Sequence, residues 1–197
     1  MPIPPDFTEA LAPHRPPPAR GEPPKRRAAV AALLRDAANG PEVLLMRRTA
    51  HPADPWSGHV SLPGGGHEAY DDDLLATAVR ETHEEVGVGL EGSATLLCRL
   101  EPVVAVGRTR VLPMDTTPFV FLATERVAPQ RSDEAAETFW LPLRPAVAGA
   151  LDGVHIWHQR GTPHESPCWT YEGRTIWGLT YRMVRRLLVA GGAAPRA

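Results

Sequence analysis

Residues 63–88 read PGGGHEAYDDDLLATAVRETHEEVGV and describe a glycine-rich loop followed by an amphipathic helix. Asp72 or Asp73 is suited to cap this helix, because a short carboxylate accepts hydrogen bonds from the free amides of the first turn. Small and apolar residues then recur at helical spacing, which predicts one buried face. This face consists of Leu75, Ala78, Val79, Thr82 and Val86. Gly87 or Gly89 is predicted to end the helix.

Three glutamates in this helix carry most of the chemical information. Glu81, Glu84 and Glu85 are spaced i, i+3 and i+4, so their carboxylates lie on one side of the helix. Like charges at this spacing repel one another, and Arg80 alone cannot neutralise three of them. A divalent cation between the carboxylates would, because Mg²⁺ is a hard ion that takes oxygen ligands. The alternative is an acidic helix face that is simply solvated.

The order of these residues resembles the signature of the Nudix hydrolases. The matching positions are Gly66, five residues, Asp72, seven residues and then RETHEEVGV from Arg80 to Val88. The chain departs from the signature at Asp72, where the family has glutamate, and at Thr82, a usually apolar position. Because the loop has three glycines, Gly65 is an alternative match to the first glycine of the signature.

This resemblance implies a fold and a metal site. The fold is an α/β/α sandwich in which a mixed β-sheet lies between helices, and residues 63–88 form its loop-helix-loop Nudix box. The metal is Mg²⁺ or Mn²⁺, with Glu81, Glu84 and Glu85 as catalytic ligands. A backbone carbonyl at Gly64 or Gly65 is expected to complete the coordination.

The resemblance also implies roles for residues that are not metal ligands. Arg80 is expected to orient a carboxylate of the box through a charge-assisted hydrogen bond, with Asp72 as its partner. The general base stays open between two glutamates of the box and two outside it. These four candidates are Glu84, Glu85, Glu134 and Glu137.

Three further segments are similar to the coenzyme A pyrophosphatase branch of the family. They are residues 58–65 (GHVSLPGG), 118–120 (PFV) and 176–180 (IWGLT). That branch has an Arg and a His shortly before the first segment, where this chain has DPWS at residues 54–57. The first interpretation is hydrolysis of coenzyme A or its thioesters to 3′,5′-ADP and 4′-phosphopantetheine. The alternatives are another nucleotide (ADP-ribose, NADH or a nucleoside triphosphate) or a non-catalytic Nudix-fold binder, which would not need the three glutamates.

Four residues outside the box are candidate substrate contacts. Arg47 ends a predicted strand, and Arg108 and Arg110 flank Thr109 in a predicted loop. A guanidinium group binds phosphate through two parallel hydrogen bonds, which suits a pyrophosphate or a 3′-phosphate. Trp56 offers a ring for stacking on a base. The alternatives are ordinary surface arginines and a tryptophan that closes the core.

Composition limits the remaining classes of function. The 197 residues carry a formal net charge of −2, which gives no electrostatic reason to expect nucleic acid or membrane partners. Two cysteines are too few for a disulfide framework and favour a cytoplasmic location. No run of 18 apolar residues predicts a membrane span, and the N-terminus lacks a signal-peptide pattern. The expected partner is a small nucleotide substrate, with a homodimer as one option.

The chain divides into three predicted parts. Residues 1–27 are rich in proline and are expected to form an arm without core area. Residues 28–190 are expected to be the Nudix domain, ending in a helix that opens with IWGLT from residue 176. Residues 191–197 are expected to be a flexible tail.

One histidine-rich segment lies between the box and the final helix. His155, His158, His164 and Cys168 are metal-ligating residue types, but their spacing fits no compact zinc motif. The favoured functional interpretation is that these residues line the substrate cleft.

Overall fold

The computed structural model describes residues 3–16, 26–51, 56–106, 111–159 and 161–193. The five helices in this part of the chain are α1 (Phe7–Leu11), α2 (Leu74–Val86), α3 (Leu90–Ser93), α4 (Leu143–Ala148) and α5 (Gly178–Ala190). The first six strands are β1 (Arg26–Ala37), β2 (Gly40–Arg48), β3 (Val60–Ser61), β4 (Gly64–Gly66), β5 (Ala94–Arg99) and β6 (Val103–Val106). The remaining strands are β7 (Val111–Ala123), β8 (Ala135–Pro142), β9 (Asp152–Gln159), β10 (Thr162–Tyr171) and β11 (Arg174–Trp177). Arg108 and Arg110 lie outside the described residues.

A mixed sheet of eight strands forms the centre of the structure. Its main path is β3-β2-β1-β7-β5, and β4, β6 and β8 pair with β1, β7 and β2. The long pairing of β1 with β7 is parallel, whereas the neighbouring pairs are antiparallel. A hairpin at Asn39-Gly40 joins β1 to β2 and brings Ala37 opposite Gly40.

Each face of the sheet is covered by a separate apolar core. Successive strand residues point to opposite faces, so Leu44 and Met46 pack with α2 whereas Val43 and Leu45 pack with α5. Helices on both faces of a mixed sheet give the α/β/α architecture that the sequence predicts. No helix among the described residues is long and apolar enough to cross a bilayer.

The N-terminal segment differs from the sequence-based expectation. Ile3, Phe7 and Leu11 are buried in the same core as α5. Gly191 leaves room for the Phe7 ring, because a Cβ at this position would collide with the ring. Ala193 is also buried. The expectation that the N-terminal arm adds no area to the core is therefore wrong, and the first residues of the predicted tail are packed. The boundaries of the arm, the domain and the tail stay a prediction.

A second sheet of three strands, in the order β11-β10-β9, precedes the final helix. The predicted helix start at residue 176 is wrong: Ile176 and Trp177 end β11, where they pair with Trp169 and Cys168. Helix α5 begins at Gly178, whose φ of +60° suits the change from strand to helix. Both cysteines, Cys98 and Cys168, are buried free thiols.

Candidate active site

Both ends of α2 are fixed by the residues that surround it. The Asp73 carboxylate accepts a hydrogen bond of 2.8 Å from the Ala76 amide, which identifies Asp73 as the N-cap. Gly87 has a φ of +68° and its amide donates to the His83 carbonyl, so the helix ends there. These caps leave the three glutamates in the second half of a regular helix.

Arg80 is held by Asp71, and not by Asp72 as the sequence predicts. Arg80 Nε lies 2.9 Å from Asp71 Oδ1, and Arg80 Nη2 lies 3.0 Å from Asp71 Oδ2. The Thr77 hydroxyl and the Glu68 amide also donate to Asp71 Oδ2. Arg80 holds the pKa of Asp71 well below its usual range. Asp72, which is at the position of the signature acid, is exposed, whereas the preceding residue Asp71 is turned inward by the loop.

The other end of the Arg80 guanidinium contacts the glutamates. Arg80 Nη1 lies 2.9 Å from Glu81 Oε1 and 2.8 Å from Glu84 Oε2. One side chain therefore joins the loop carboxylate Asp71 to two carboxylates of the helix. Glu84 is the outermost of the three glutamates, with half of its side chain exposed.

Glu85 is the buried member of the set, with 1% of its surface exposed. Its Oε2 accepts a hydrogen bond of 2.7 Å from the Gly64 amide, and its Oε1 lies 3.1 Å from Arg48 Nη1. Burial raises the pKa of Glu85 to about 7, and the negative charges of Glu81 and Glu134 add to the increase. The sequence does not predict Arg48 as a partner.

Two glycines let the loop approach the helix. Gly64 has a φ of +147°, and a Cβ there would collide with the backbone of β1. At Gly65, a Cβ would lie 2.6 Å from the carboxylate atoms of Glu81. The glycine sequence is therefore required for the contact between the loop and the two carboxylates, Glu81 and Glu85.

The donor set fits a hard divalent cation. Burial raises the pKa of Glu81 as well, and Glu84 and Glu134 increase it through charge repulsion. A cation relieves such repulsion, and carboxylate oxygens are the ligands that Mg²⁺ and Mn²⁺ take. Within the described ranges, no three His, Cys, Asp or Glu side chains already converge as a metal site. The role of Glu81, Glu84 and Glu85 as metal ligands therefore stays a prediction.

The structure separates the two general-base candidates outside the box. Glu134 is exposed and near enough to raise the pKa of Glu81 and Glu85. Glu137 instead ion-pairs with Arg47, whose Nε lies 3.3 Å from its Oε2, and with Arg174. Arg174 keeps the pKa of Glu137 below its usual range, which makes this carboxylate a poor proton acceptor. Glu134 is thus the better placed of the pair.

A cleft of about 540 Å³ lies beside this ion pair, between the second sheet and the β2–β3 edge. Arg47, His59, His155, Trp157, Arg174 and Trp177 are among its lining residues. Arg47 thus lies where the sequence predicts a substrate contact. The predicted contact Trp56 accepts a hydrogen bond from the His59 amide through its carbonyl, and its indole is absent from the described lining. The roles of Arg47 and Trp56 stay predictions.

Several residues of the cleft escape sequence-based prediction. Trp157 shares one side of β9 with His155, which is a predicted cleft residue, and this alternation is the signal that could have identified Trp157. Trp177 and Arg174 reach the cleft only because β11 pairs with β10. His164 stacks on Trp157, so two histidines of the predicted cleft segment lie in this cluster.

Comparison with known proteins finds similarity over most of this chain. The sequence profile of the NUDIX domain matches residues 25–164. The chain is 32% identical over 151 residues to the uncharacterized Nudix hydrolase NudL of Yersinia enterocolitica, covering 75% of this chain and 72% of that protein. It is also 32% identical over 157 residues to NudL of Citrobacter koseri, covering 79% and 78%.

Two solved structures share the fold at lower sequence identity. An Ap4A hydrolase of C. elegans superposes with a TM-score of 0.52 at 22% identity and covers 62% of this chain and 84% of its own. A bifunctional NMN adenylyltransferase/ADP ribose pyrophosphatase of Francisella tularensis superposes with a TM-score of 0.55 at 17% identity, covering 88% and 44%. At these identities the likeness concerns the fold alone.

Proposed function

This chain belongs to the Nudix hydrolase family, and from that premise we propose that it hydrolyses the pyrophosphate linkage of coenzyme A or its thioesters with the help of Mg²⁺ or Mn²⁺. The observation that carries the catalytic part is the cluster of Glu81, Glu84 and Glu85 against the Gly64–Gly65 loop. Burial and neighbouring negative charge raise the pKa values of Glu81 and Glu85, and a cation would relieve this repulsion. A pyrophosphate substrate brings further negative charge that the same cation neutralises.

The residues at this site have two roles, cation binding and the positioning of the cation ligands. Glu81, Glu84 and Glu85 would hold the cation, which lowers the charge on the pyrophosphate and makes water a better nucleophile. Asp71 fixes Arg80 through two hydrogen bonds, and Arg80 in turn fixes Glu81 and Glu84. Gly64 and Arg48 orient Glu85.

Proton transfer needs a carboxylate that water reaches. Glu84 and Glu134 are both solvent-accessible and near the buried glutamates, whereas Glu85 is enclosed. We assign the general-base role to Glu84 or Glu134 on this ground, because a base must contact the attacking water.

Coenzyme A is preferred as substrate because of three segments that resemble its pyrophosphatases. Two of these segments have a structural role beside the cleft: residues 58–60 form part of its wall, and the Thr180 hydroxyl in the IWGLT segment donates to the Val60 carbonyl at 2.9 Å. The second candidate is another nucleotide pyrophosphatase, which is favoured by DPWS at residues 54–57, where the coenzyme A branch has an Arg and a His.

A substrate panel tests this choice. The purified chain is incubated with Mg²⁺ or Mn²⁺ and with coenzyme A, dephospho-coenzyme A, ADP-ribose, NADH and nucleoside triphosphates, and products are identified by mass spectrometry. Coenzyme A is expected to have the highest kcat/KM. Loss of the 3′-phosphate is expected to lower it about ten- to a hundredfold, the effect of one charged hydrogen bond. If kcat/KM is higher with ADP-ribose or NADH than with coenzyme A, the coenzyme A proposal is wrong and the second candidate, another nucleotide pyrophosphatase, takes its place.

A further inference from the structure

The cleft beside β9 and β11 contains a connected cluster of aromatic rings. Trp177 is at its centre, with the His155 ring 4.1 Å, the His59 ring 5.3 Å and the Trp157 ring 6.2 Å away between centroids. His164 stacks on Trp157 at 4.9 Å and 27°. Both indoles are only partly buried and line the cleft, so part of each ring is accessible to a planar ligand.

The rings are held in place by bonds at their edges. Trp157 Nε1 donates to Ser166 Oγ at 3.0 Å, across the β9–β10 pairing. Trp177 is fixed by the end of β11 and by the start of α5, which the Thr180 bond ties to β3. Burial lowers the pKa of His155, so its ring is neutral near pH 7 and suited to stacking. A rigid aromatic surface binds a ligand with little loss of entropy.

Positive charge lies at one end of this aromatic surface. Arg47 and Arg174 line the same cleft, and Glu137 joins them through its two oxygens. The two guanidinium groups thus share the carboxylate of Glu137. Glu172 also pairs with Arg174, but its side chain is 62% exposed, so water screens its charge. Half of the Arg47 side chain is exposed and accessible to an anion.

The cleft is also close to the glutamate cluster along the chain. Val60 in its wall is four residues from Gly64, which limits their Cα separation to about 14 Å. Arg47 in the cleft adjoins Arg48, the partner of Glu85. A substrate with an aromatic group on one side of its pyrophosphate can therefore contact both places.

We propose that this cleft binds the nucleoside half of the substrate, with the base stacked on Trp157 and Trp177 and one of its phosphates at Arg47 and Arg174. A base offers the planar face that the indoles accept, and its phosphate offers the anion that the guanidinium groups accept. The class of ligand in this assignment is taken from the proposed pyrophosphatase activity. The residues concerned lie outside the Nudix box, and their role can be tested by binding measurements without turnover.

The test measures binding of 5′-AMP, adenosine and 4′-phosphopantetheine to the full chain in EDTA, by calorimetry and tryptophan fluorescence. The Trp157→Ala variant is expected to raise the Kd for 5′-AMP about tenfold or more, and Trp157→Phe about threefold or less, since phenylalanine keeps a stacking face. Val154→Ala is the matched control, because Val154 is on the opposite side of the same strand. The Arg47→Gln variant should weaken binding of 5′-AMP and leave adenosine unchanged.

Three results would overturn the assignment. The first is a Kd for 5′-AMP that Trp157→Ala does not change while circular dichroism shows the fold intact. The second is no binding of 5′-AMP by the parent chain, and the third is binding of 4′-phosphopantetheine, instead of 5′-AMP, that depends on Trp157. Failure of the pyrophosphatase proposal looks different: no compound of the substrate panel is cleaved, yet 5′-AMP still binds in a Trp157-dependent manner.

Discussion

Arg47 and Arg48 are neighbours in β2, yet they contact opposite faces of the central sheet. Arg48 lies 3.1 Å from Glu85 on the face covered by α2, whereas Arg47 pairs with Glu137 beside the aromatic cleft on the other face. The pairing of β2 with β8 shifts its register between these two residues. The end of β2 therefore connects the proposed metal site to the proposed nucleotide cleft.

The first prediction concerns the metal. We expect hydrolysis to stop in excess EDTA and to return with Mg²⁺ or Mn²⁺. The Glu85→Gln variant should lose about a hundredfold or more in kcat, because an amide is a poor ligand for a hard cation. Glu125→Gln, in an exposed loop, is the control and should keep the parent rate. Parent-like turnover by Glu85→Gln would rule out the assigned role.

A second prediction separates two adjacent aspartates. Asp71→Asn should lower kcat about 10- to 100-fold with little change in KM, because it loosens Arg80 and through it Glu81 and Glu84. Asp72→Asn should have no effect, since Asp72 is exposed. Steady-state kinetics of the two variants decide the matter. If Asp72→Asn is the damaging change, the signature position, and not the observed contact, holds Arg80.

The same aspartate gives a prediction for acid stability. Arg80 depresses the pKa of Asp71 below the value of about 3.9 in an unfolded chain. A depressed carboxyl pKa stabilises the folded state above the unfolded pKa, and this contribution is lost as the pH falls toward the folded-state pKa. Between pH 6 and pH 3, the difference in unfolding free energy between parent and Asp71→Asn should narrow by up to about 1 kcal/mol, because solvent screening reduces the full linkage value.

Urea titrations at pH 6, 4 and 3 measure this difference. Asp72→Asn serves as the reference, because its carboxyl makes none of the contacts described for Asp71. A difference between parent and Asp71→Asn that stays constant over this range would contradict the coupling of Asp71 to Arg80.

The last prediction concerns the N-terminal segment. Phe7 is 2% exposed and its ring packs against Gly191, so Phe7→Ala should lower the free energy of unfolding by about 3 kcal/mol. Glu9→Ala, on the exposed side of the same helix, should change it by less than about 0.5 kcal/mol. Chemical denaturation measures both. Equal stability of Phe7→Ala and the parent would show that this segment does not contribute to the core in solution.

Much of the fold is determined by local sequence patterns. The spacing of apolar residues in α2 and the glycines around it predict a loop-helix-loop, because these signals depend on neighbours within one or two turns of chain. The α/β/α sandwich follows from the resemblance of residues 66–88 to the Nudix signature. Local chemistry also points to the glutamates, since their spacing along a helix fixes their common side.

Tertiary structure decides which residues act together. Asp71 instead of Asp72 holds Arg80 because of the path of the loop, and Phe7 is buried because Gly191, at the end of α5, lies beside it. Trp157 and Trp177 meet through strand pairing, and the adjacent Arg47 and Arg48 diverge because successive strand residues face opposite sides. Some of these contacts join residues that are far apart in sequence, and others depend on a difference of one residue in position. The local spacing of residue types predicts neither kind of contact.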